Sequence, residues 1–363
     1  MIIVNINSII IDVSYITLKG RAKMEVRKIG VAIVGCGAIF QNHITPIIDN
    51  KNVDLLYLVD IDEEKVKRLA NKYSCNYSVT IDDVLKDERV DVVHILTPHY
   101  LHYEMTKKTI MASKNVVLEK PATINLEDAN KLMKLSKQKN KQIAVVFQNR
   151  YNPSSIEAKK IIESNELGKV KGMKAFITWK RDEDYYNQAY WRGKWDTEGG
   201  GLLINQAIHT LDLMRWFGGD IVSLKGHVDT RLLDSVIEVE DTADATIKYK
   251  NGAIGIFYGT NNYIDNSSIE IEIICEKGKL IIRDYALWQE SNNQIQKIIE
   301  DTKGLGGKDY WGSCHKIYID KVYKKLCRSE TVDINIEEGL KTLELVQGIY
   351  SSSKENKYYN MRY

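Results

Sequence analysis

Two short stretches of this chain carry residue types suited to moving a proton beside a developing charge. The first is Glu119-Lys120-Pro121, a lysine held between an acid and a rigid proline. The second runs from Gly199-Gly200-Gly201 through Asn205 and His209 to Asp212. Three glycines interrupt regular structure and let backbone and ligand approach closely. The residues after them have helical spacing, which puts Asn205, His209 and Asp212 on one helix face. A histidine there can face a cleft and exchange a proton with a substrate. A lysine at the carboxyl end of a strand can bring a cation to a substrate oxygen and favour deprotonation of a neighbouring group. Taken singly, the two stretches read as plain structure, a buried helix and a surface lysine near a turn. The elements that would bring them together decide.

Those elements begin with Ile29-Gly30-Val31-Ala32-Ile33-Val34, an apolar, β-branched run that predicts a buried parallel strand. Gly35-Cys36-Gly37-Ala38-Ile39-Phe40 follows at once and leads into a helical pattern reaching about Asp49. A second strand, 53–59, ends in Asp60, near the spacing at which an acid meets a ribose diol. Strand, glycine turn and helix together form a dinucleotide site, with a pyrophosphate over the helix N-terminus. An acid at position 60 repels a 2′-phosphate, so NAD is preferred over NADP. Phe40 stands where the fingerprint has a small residue, which predicts a helix set further from the sheet. A third strand, 90–95, leads into Thr97-Pro98-His99-Tyr100-Leu101-His102, where Thr97 and Pro98 line the cofactor channel and His102 packs on the first turn of a helix. His94, His99 and His102 do not make a convincing metal set, and no metal is expected. The expected cofactor residues are Gly35, Gly37, Ala38, Ile39, Asp60, Thr97, Pro98, His102, Glu119 and Lys120.

Strands alternate with helices as far as Phe147, the signature of a parallel sheet covered on both faces. After Arg150 the rhythm changes to a run of strands with turn residues at Asn251-Gly252 and Lys277-Gly278. Ala243, Ala245, Ile247 and Tyr249 alternate with polar residues, as in a sheet with one covered face. Helices return at 316–326 and 337–350. The fold class is therefore α/β: a Rossmann dinucleotide-binding domain over 24–150, then an α+β domain over 151–363 with a large open, mostly antiparallel sheet. Residues 1–23 are expected to belong to no domain, with Met24 as the true start. The open face of the second sheet is expected to meet another subunit.

The chain has 363 residues and a net charge of +2, which gives no reason to expect a nucleic-acid or membrane partner. Five scattered cysteines without a Cys-x-x-Cys pair point to free thiols and a cytoplasmic location.

In this order, Gly35-Cys36-Gly37, Asp60, Thr97-Pro98 with His102, Glu119-Lys120-Pro121 and the glycine run with His209 and Asp212 resemble the glucose–fructose oxidoreductase / inositol dehydrogenase / MocA (Gfo/Idh/MocA) family. The resemblance spans roughly residues 26–357. It implies a nicotinamide-dependent oxidoreductase acting on a sugar, cyclitol or sugar nucleotide, assembled as a homodimer or homotetramer through the second sheet. It also implies that Lys120 and His209 are catalytic, with Asn205 as the third member. Many members carry Asp at that third position. Asparagine can orient the histidine but supplies no charge, and some sugar-nucleotide members look similar in carrying it. Asp212 either fixes the histidine ring or packs the helix.

The implied mechanism has His209 take a hydroxyl proton while hydride passes to the nicotinamide and Lys120 steadies the alkoxide. Trp191, Arg181 and Arg192, in an aromatic- and arginine-rich insert, are expected to bind the substrate with Arg150, Tyr151, Asn205 and His209. Two other readings are a glycosidase- or epimerase-type reaction that recycles its NAD, and a non-catalytic NAD-binding regulator.

Overall fold

The computed structural model describes residues 27–302 and 314–362. The proposed extension 1–23 and the start at Met24 lie outside them. The first sheet is parallel, in the order β3-β2-β1-β4-β5-β6, with β1 at Ile29–Val34, β2 at Val53–Val59, β3 at Asn76–Ser78, β4 at Val90–Ile95, β5 at Asn115–Leu118 and β6 at Ile143–Val145. Helices α1 (Phe40–Ile48), α2 (Glu63–Tyr73), α3 (Ile81–Lys86), α4 (His102–Met111) and α5 (Leu126–Lys139) join them. The sequence cues for these elements are local ones. Asp62 caps α2 by accepting from Lys65 N–H, and Asn125 caps α5 by accepting from Asp128 N–H. Phe40 is buried at the start of α1 and meets the Tyr73 ring edge-on at 6.0 Å. The side chain that breaks the fingerprint thus packs between two helices.

The second sheet is ordered β14-β13-β12-β11-β7-β10-β9-β8-β15. Its strands are β7 (Val170–Thr178), β8 (Ile221–Asp229), β9 (Thr242–Tyr249), β10 (Ile254–Thr260), β11 (Glu270–Cys275), β12 (Gly278–Arg283), β13 (Ala286–Ser291), β14 (Gln294–Glu300) and β15 (Tyr359–Asn360). The pair β7–β10 is parallel and the other pairs are antiparallel. Strands β13, β14 and β15 escape the sequence reading because they are polar and half exposed, with little apolar alternation. Met173, Ala175 and Ile177 of β7 are buried on one face, and Phe176 is exposed on the other.

The remaining helices are α6 (Pro153–Ser164), α7 (Glu183–Asn187), α8 (Ile208–Gly218), α9 (His315–Cys327) and α10 (Ile336–Glu355). The last two return to the first sheet. Tyr318 Oη donates to Val145 O at 2.6 Å, and Val145 N–H donates to Ile334 O at 2.9 Å. The change of rhythm near Arg150 lies between the two sheets, while the C-terminal helices reach back across it. No helix among the described residues is long and apolar enough to cross a membrane.

The glycine-to-Asp212 stretch is not one helix. Leu202–Gln206 forms a single π-helical turn, closed by Ala207 N–H to Leu202 O at 2.7 Å, and α8 begins only at Ile208. Buried Glu240 imposes the break: its carboxylate accepts from Gly201 N–H at 2.9 Å and Leu203 N–H at 2.8 Å. The three glycines make room for the protein itself and not for a ligand. An added Cβ would lie 2.1 Å from Tyr350 Oη at Gly200 and 2.0 Å from Glu240 O at Gly201.

Asp212 faces away from the site and packs the helix. It receives both arms of Arg150 at 2.7 Å and Thr342 Oγ1 at 2.6 Å, while Arg150 and Arg215 both reach Glu338. Arg150 is 6% exposed, and its neighbour Tyr151 donates its hydroxyl to Asp333. Both were expected at the substrate cleft. The structure instead uses Arg150 as an internal ion clamp between the 3₁₀ turn at Gln148–Tyr151, α8 and α10. Replacing Asp212 by Ala leaves that guanidinium buried without its main partner, so chemical denaturation should register a loss of about 3–5 kcal/mol.

Candidate active site

The carboxyl edge of the first sheet forms the cofactor side of the site. Gly35 adopts φ +97°, and Gly37 lies exposed where an added Cβ would meet no protein atom within 4 Å. Ala38 is exposed beside it and Ile39 partly so. This open backbone turn before α1 is a cradle that fits a pyrophosphate. Asp60 Oδ2 accepts from Cys36 N–H at 2.8 Å and Oδ1 from Asp62 N–H at 3.0 Å, tying the end of β2 to the glycine turn. Lys65 Nζ lies 3.0 Å from the same carboxylate and offsets part of its charge. The next residue, Ile61, is 86% exposed, an apolar side chain beside that carboxylate which the sequence reading did not single out.

Thr97 and Pro98 sit at the end of β4, and Thr97 Oγ1 is a buried hydroxyl without a hydrogen-bond partner among the described residues. His102 does not reach the cofactor channel as expected. It is fully buried, with ring nitrogens 2.7 Å from Pro121 O and 2.9 Å from Thr97 O. Its function is to brace the two loops that end β4 and β5.

Glu119 and Lys120 follow β5 and part in opposite directions. Glu119, expected at the cofactor, turns into a buried cluster under α1 and α9. Its Oε1 lies 2.9 Å from His43 Nε2 and 3.6 Å from His315 Nε2. Behind it, His43 Nδ1 meets His94 Nδ1 at 2.8 Å, and His94 Nε2 meets Tyr323 Oη at 2.6 Å. One proton order satisfies every link: Tyr323 O–H to His94, His94 N–H to His43, and His43 N–H to Glu119. Burial alone would raise the Glu119 carboxyl, but the neighbouring His315 and His43 rings hold it well below its usual range. Burial keeps both His43 and His94 from charging. The ligand atoms of His43, Glu119 and His315 lie within 4.8 Å of one another. That grouping is invisible in the sequence, where the metal question fell on His94, His99 and His102. His43 and Glu119 bond each other, and His315 Nδ1 meets Asn42 Nδ2 at 3.3 Å.

Lys120 turns into the cleft. Its Nζ donates to Asn205 O at 2.8 Å and Asn205 Oδ1 at 3.1 Å, joining the first sheet to the π turn of the second domain. Asn205 therefore does not orient His209. Its amide faces Lys120 on one side and Glu198 on the other, at 2.5 Å. His209, on the first turn of α8, stands edge-on to Phe147 at 5.8 Å, and its Nδ1 has no hydrogen-bond partner among the described residues. Burial first, and then the Lys120 charge, lower its pKa to about 3. At neutral pH the ring is an uncharged base, the form that accepts a proton.

The expected binding wall is present in part. Arg192 stacks over the Tyr185 ring at 4.2 Å and donates to Tyr185 O at 2.9 Å. Arg181 lies over the same ring at 5.0 Å and donates to Lys180 O and Asn266 Oδ1, so internal bonds take up much of its fork. Trp191 packs on His99 at 4.8 Å, and His99 in turn bonds the Glu198 carbonyl. Tyr185, Glu198 and His99 were missed as site residues. Tyr185 had a local signal in the aromatic insert. Glu198 had only its place beside the glycines, because its partner Asn205 is met by folding.

Two family models match this chain, an oxidoreductase family with an NAD-binding Rossmann fold over residues 29–147 and the GFO/IDH/MocA C-terminal domain over residues 156–281. Among solved structures, the WlbA dehydrogenase from Bordetella pertussis in complex with NADH and UDP-GlcNAcA is 28% identical, with a TM-score of 0.80 over 93% of this chain and 100% of that one. The scyllo-inositol 2-dehydrogenase (NADP(+)) IolW of Bacillus subtilis is 22% identical over 94% of this chain and 97% of its own length. The scyllo-inositol 2-dehydrogenase (NAD(+)) of the same organism is 25% identical over 69% of this chain and 72% of its own.

Replacing Gly37 by Val fills the cradle without touching the core. Titration of protein fluorescence with NADH should show affinity falling by about tenfold or more, while the melting temperature stays within about 2 °C of the parent.

Proposed function

The chain belongs to the Gfo/Idh/MocA oxidoreductase family, and from that premise we propose that it is an NAD-dependent dehydrogenase of a secondary hydroxyl on a sugar nucleotide. The observation that carries this reading is the meeting of a cation and a base-type side chain in one cleft. Lys120 from the dinucleotide-binding sheet donates to Asn205 O and Oδ1, four residues before His209, whose Nδ1 has no hydrogen-bond partner among the described residues. The sugar-nucleotide choice within the broader sugar and cyclitol class is supported by Asn205 and by the 28% identical neighbour, which holds UDP-GlcNAcA. Preference for NAD is supported by Asp60 at the end of β2.

The turn at Gly35 and Gly37, Asp60, Thr97 and Pro98 would hold the dinucleotide. A bound nicotinamide supplies a hydride acceptor. The neutral His209 ring takes the hydroxyl proton. Lys120, fixed by Asn205, steadies the alkoxide that forms. Arg192 and Trp191 form the outer wall, where a guanidinium and an aromatic face suit a phosphate or carboxylate and a sugar ring. Incubation with UDP-GlcNAcA and either NAD or NADP, followed by absorbance of the reduced nicotinamide, should show turnover with NAD favoured. His209→Ala and Lys120→Ala should each lower kcat by about a hundredfold or more with NADH binding retained. Near-normal turnover in either variant rejects the assigned chemistry. Equal use of NADP rejects the role given to Asp60.

We retain the functional halves as 24–150 and 151–363, and assign the protein to the cytoplasm, a location supported by its five free cysteines. The open face of the second sheet is the proposed subunit interface. Ile254 and Ile274 flank Gly172 in one cross-strand row, Ile256 (52% exposed) stands in the next row on that face and Phe176 in the row after it. Such a row of exposed apolar side chains suits a second copy of the chain. Light scattering should find a dimer or tetramer, and Ile256→Glu should shift it towards monomer. A monomeric parent protein rejects the interface.

A further inference from the structure

Glu198 has no part in the proton and hydride chemistry above, yet its carboxylate lies buried one step behind Lys120. Its Oε2 accepts from Gly193 N–H at 2.6 Å, and its Oε1 accepts from Asn205 Nδ2 at 2.5 Å. On the other side of that amide, Asn205 Oδ1 accepts from Lys120 Nζ at 3.1 Å. An amide has one donor end and one acceptor end, so Asn205 can hold a carboxylate and an ammonium together only in this orientation. We propose that Glu198 is a positioning residue for Lys120: through the Asn205 amide it aligns the ammonium and supplies the negative charge that residue 205 lacks. The inference rests on the reading of Lys120 as the group that steadies the alkoxide.

The surroundings make this charge matter. Burial lowers the Lys120 pKa, the Glu119 and Glu198 carboxylates oppose that shift, and Arg192 adds to it. Burial pushes Glu198 up to about 7, with the Gly193 and Asn205 hydrogen bonds pulling down, Glu240 pushing up and Arg192 pulling down. Tyr185, Tyr186 and Tyr350 also face Glu198, and burial raises the pKa of each phenol. His99 meets only its backbone carbonyl. Removing the Glu198 charge therefore leaves Lys120 beside Arg192 with, among the described residues, Glu119 as the carboxylate that still opposes the shift.

The test reads Lys120 directly, with NADH bound, by trace acetylation with acetic anhydride followed by peptide mass spectrometry between about pH 6 and 11. In Glu198→Gln the midpoint for Lys120 should fall by about one unit, a tenfold loss of proton affinity. The alkaline limb of kcat with UDP-GlcNAcA should move by the same amount, with KM changed less than kcat. The double variant Glu198→Gln/Asn205→Asp exchanges acid and amide. Every hydrogen bond has a matching donor and acceptor, the charge moves one residue closer to Lys120, and the midpoint should return to the parent value or above. A Glu198→Gln midpoint equal to the parent overturns the proposal. If that single variant does not fold, a double variant with a midpoint below the parent overturns it. Acetylation needs no turnover, so it separates this inference from the dehydrogenase reading, which fails if Lys120→Ala turns over normally.

Discussion

Two opposite charges on adjacent residues leave the end of one short strand and turn to opposite sides, one into the interior and one into the cleft. This constraint shapes the structure around the site. Glu119 and Lys120 follow β5 directly, Glu119 buried and Lys120 half-buried in the cleft. A buried charge left without partners costs several kcal/mol, so each side must be answered by elements from elsewhere in the chain. On the Glu119 side the answer is imidazole, from α1 and α9. On the Lys120 side it is a carbonyl, an amide and, behind the amide, the Glu198 carboxylate.

This explains why the C-terminal helices return to the first domain. Helix α9 brings His315 to Glu119 and Tyr323 to His94, and Tyr318 closes onto the backbone of β6. Helix α10 then clamps Arg150 and Arg215 through Glu338. The cleft between the domains is thus held at its base by polar groups with matched partners, and Lys120 is one of the links. A network of this kind tolerates few partial losses, because removing one member strands another.

The glycine run illustrates the same economy of space. Tyr350, Glu240 and the π turn crowd against its backbone, which leaves no room for a Cβ. The turn delivers Asn205 to Lys120 and lets α8 start afresh with His209 on its first turn. An uninterrupted helix from Leu202 would have put Asn205 and His209 on one face and required one residue to serve the other. The break frees Asn205 for the lysine.

Much of this was legible in order. The β1 run, the Gly35 turn, the β2 end at Asp60, the β5 end at Lys120 and the alternation in β9 are local patterns, and a chain reports local patterns directly. The family resemblance could be read because motif types occur in a fixed sequence. Arg150 and Tyr151 were placed at the cleft by their position at the domain junction, and His102 and Glu119 by their place in the motifs beside the cofactor. The structure gave each of them a partner within the protein: Asp212 for Arg150, Asp333 for Tyr151, two carbonyls for His102 and two histidines for Glu119. Glu198 and the His43–Glu119–His315 cluster were unreadable for the converse reason: their members stand far apart in the chain or are neighbours only across a turn. The sequence by itself determined the parallel sheet, the central strands of the second sheet and the glycine turn, and it marked the lysine and the histidine as the residues to follow. Only the tertiary structure decided which polar side chains are spent on one another and which remain for a ligand, since hydrogen bonds and ion pairs depend on distances of about 3 Å that no spacing along the chain records.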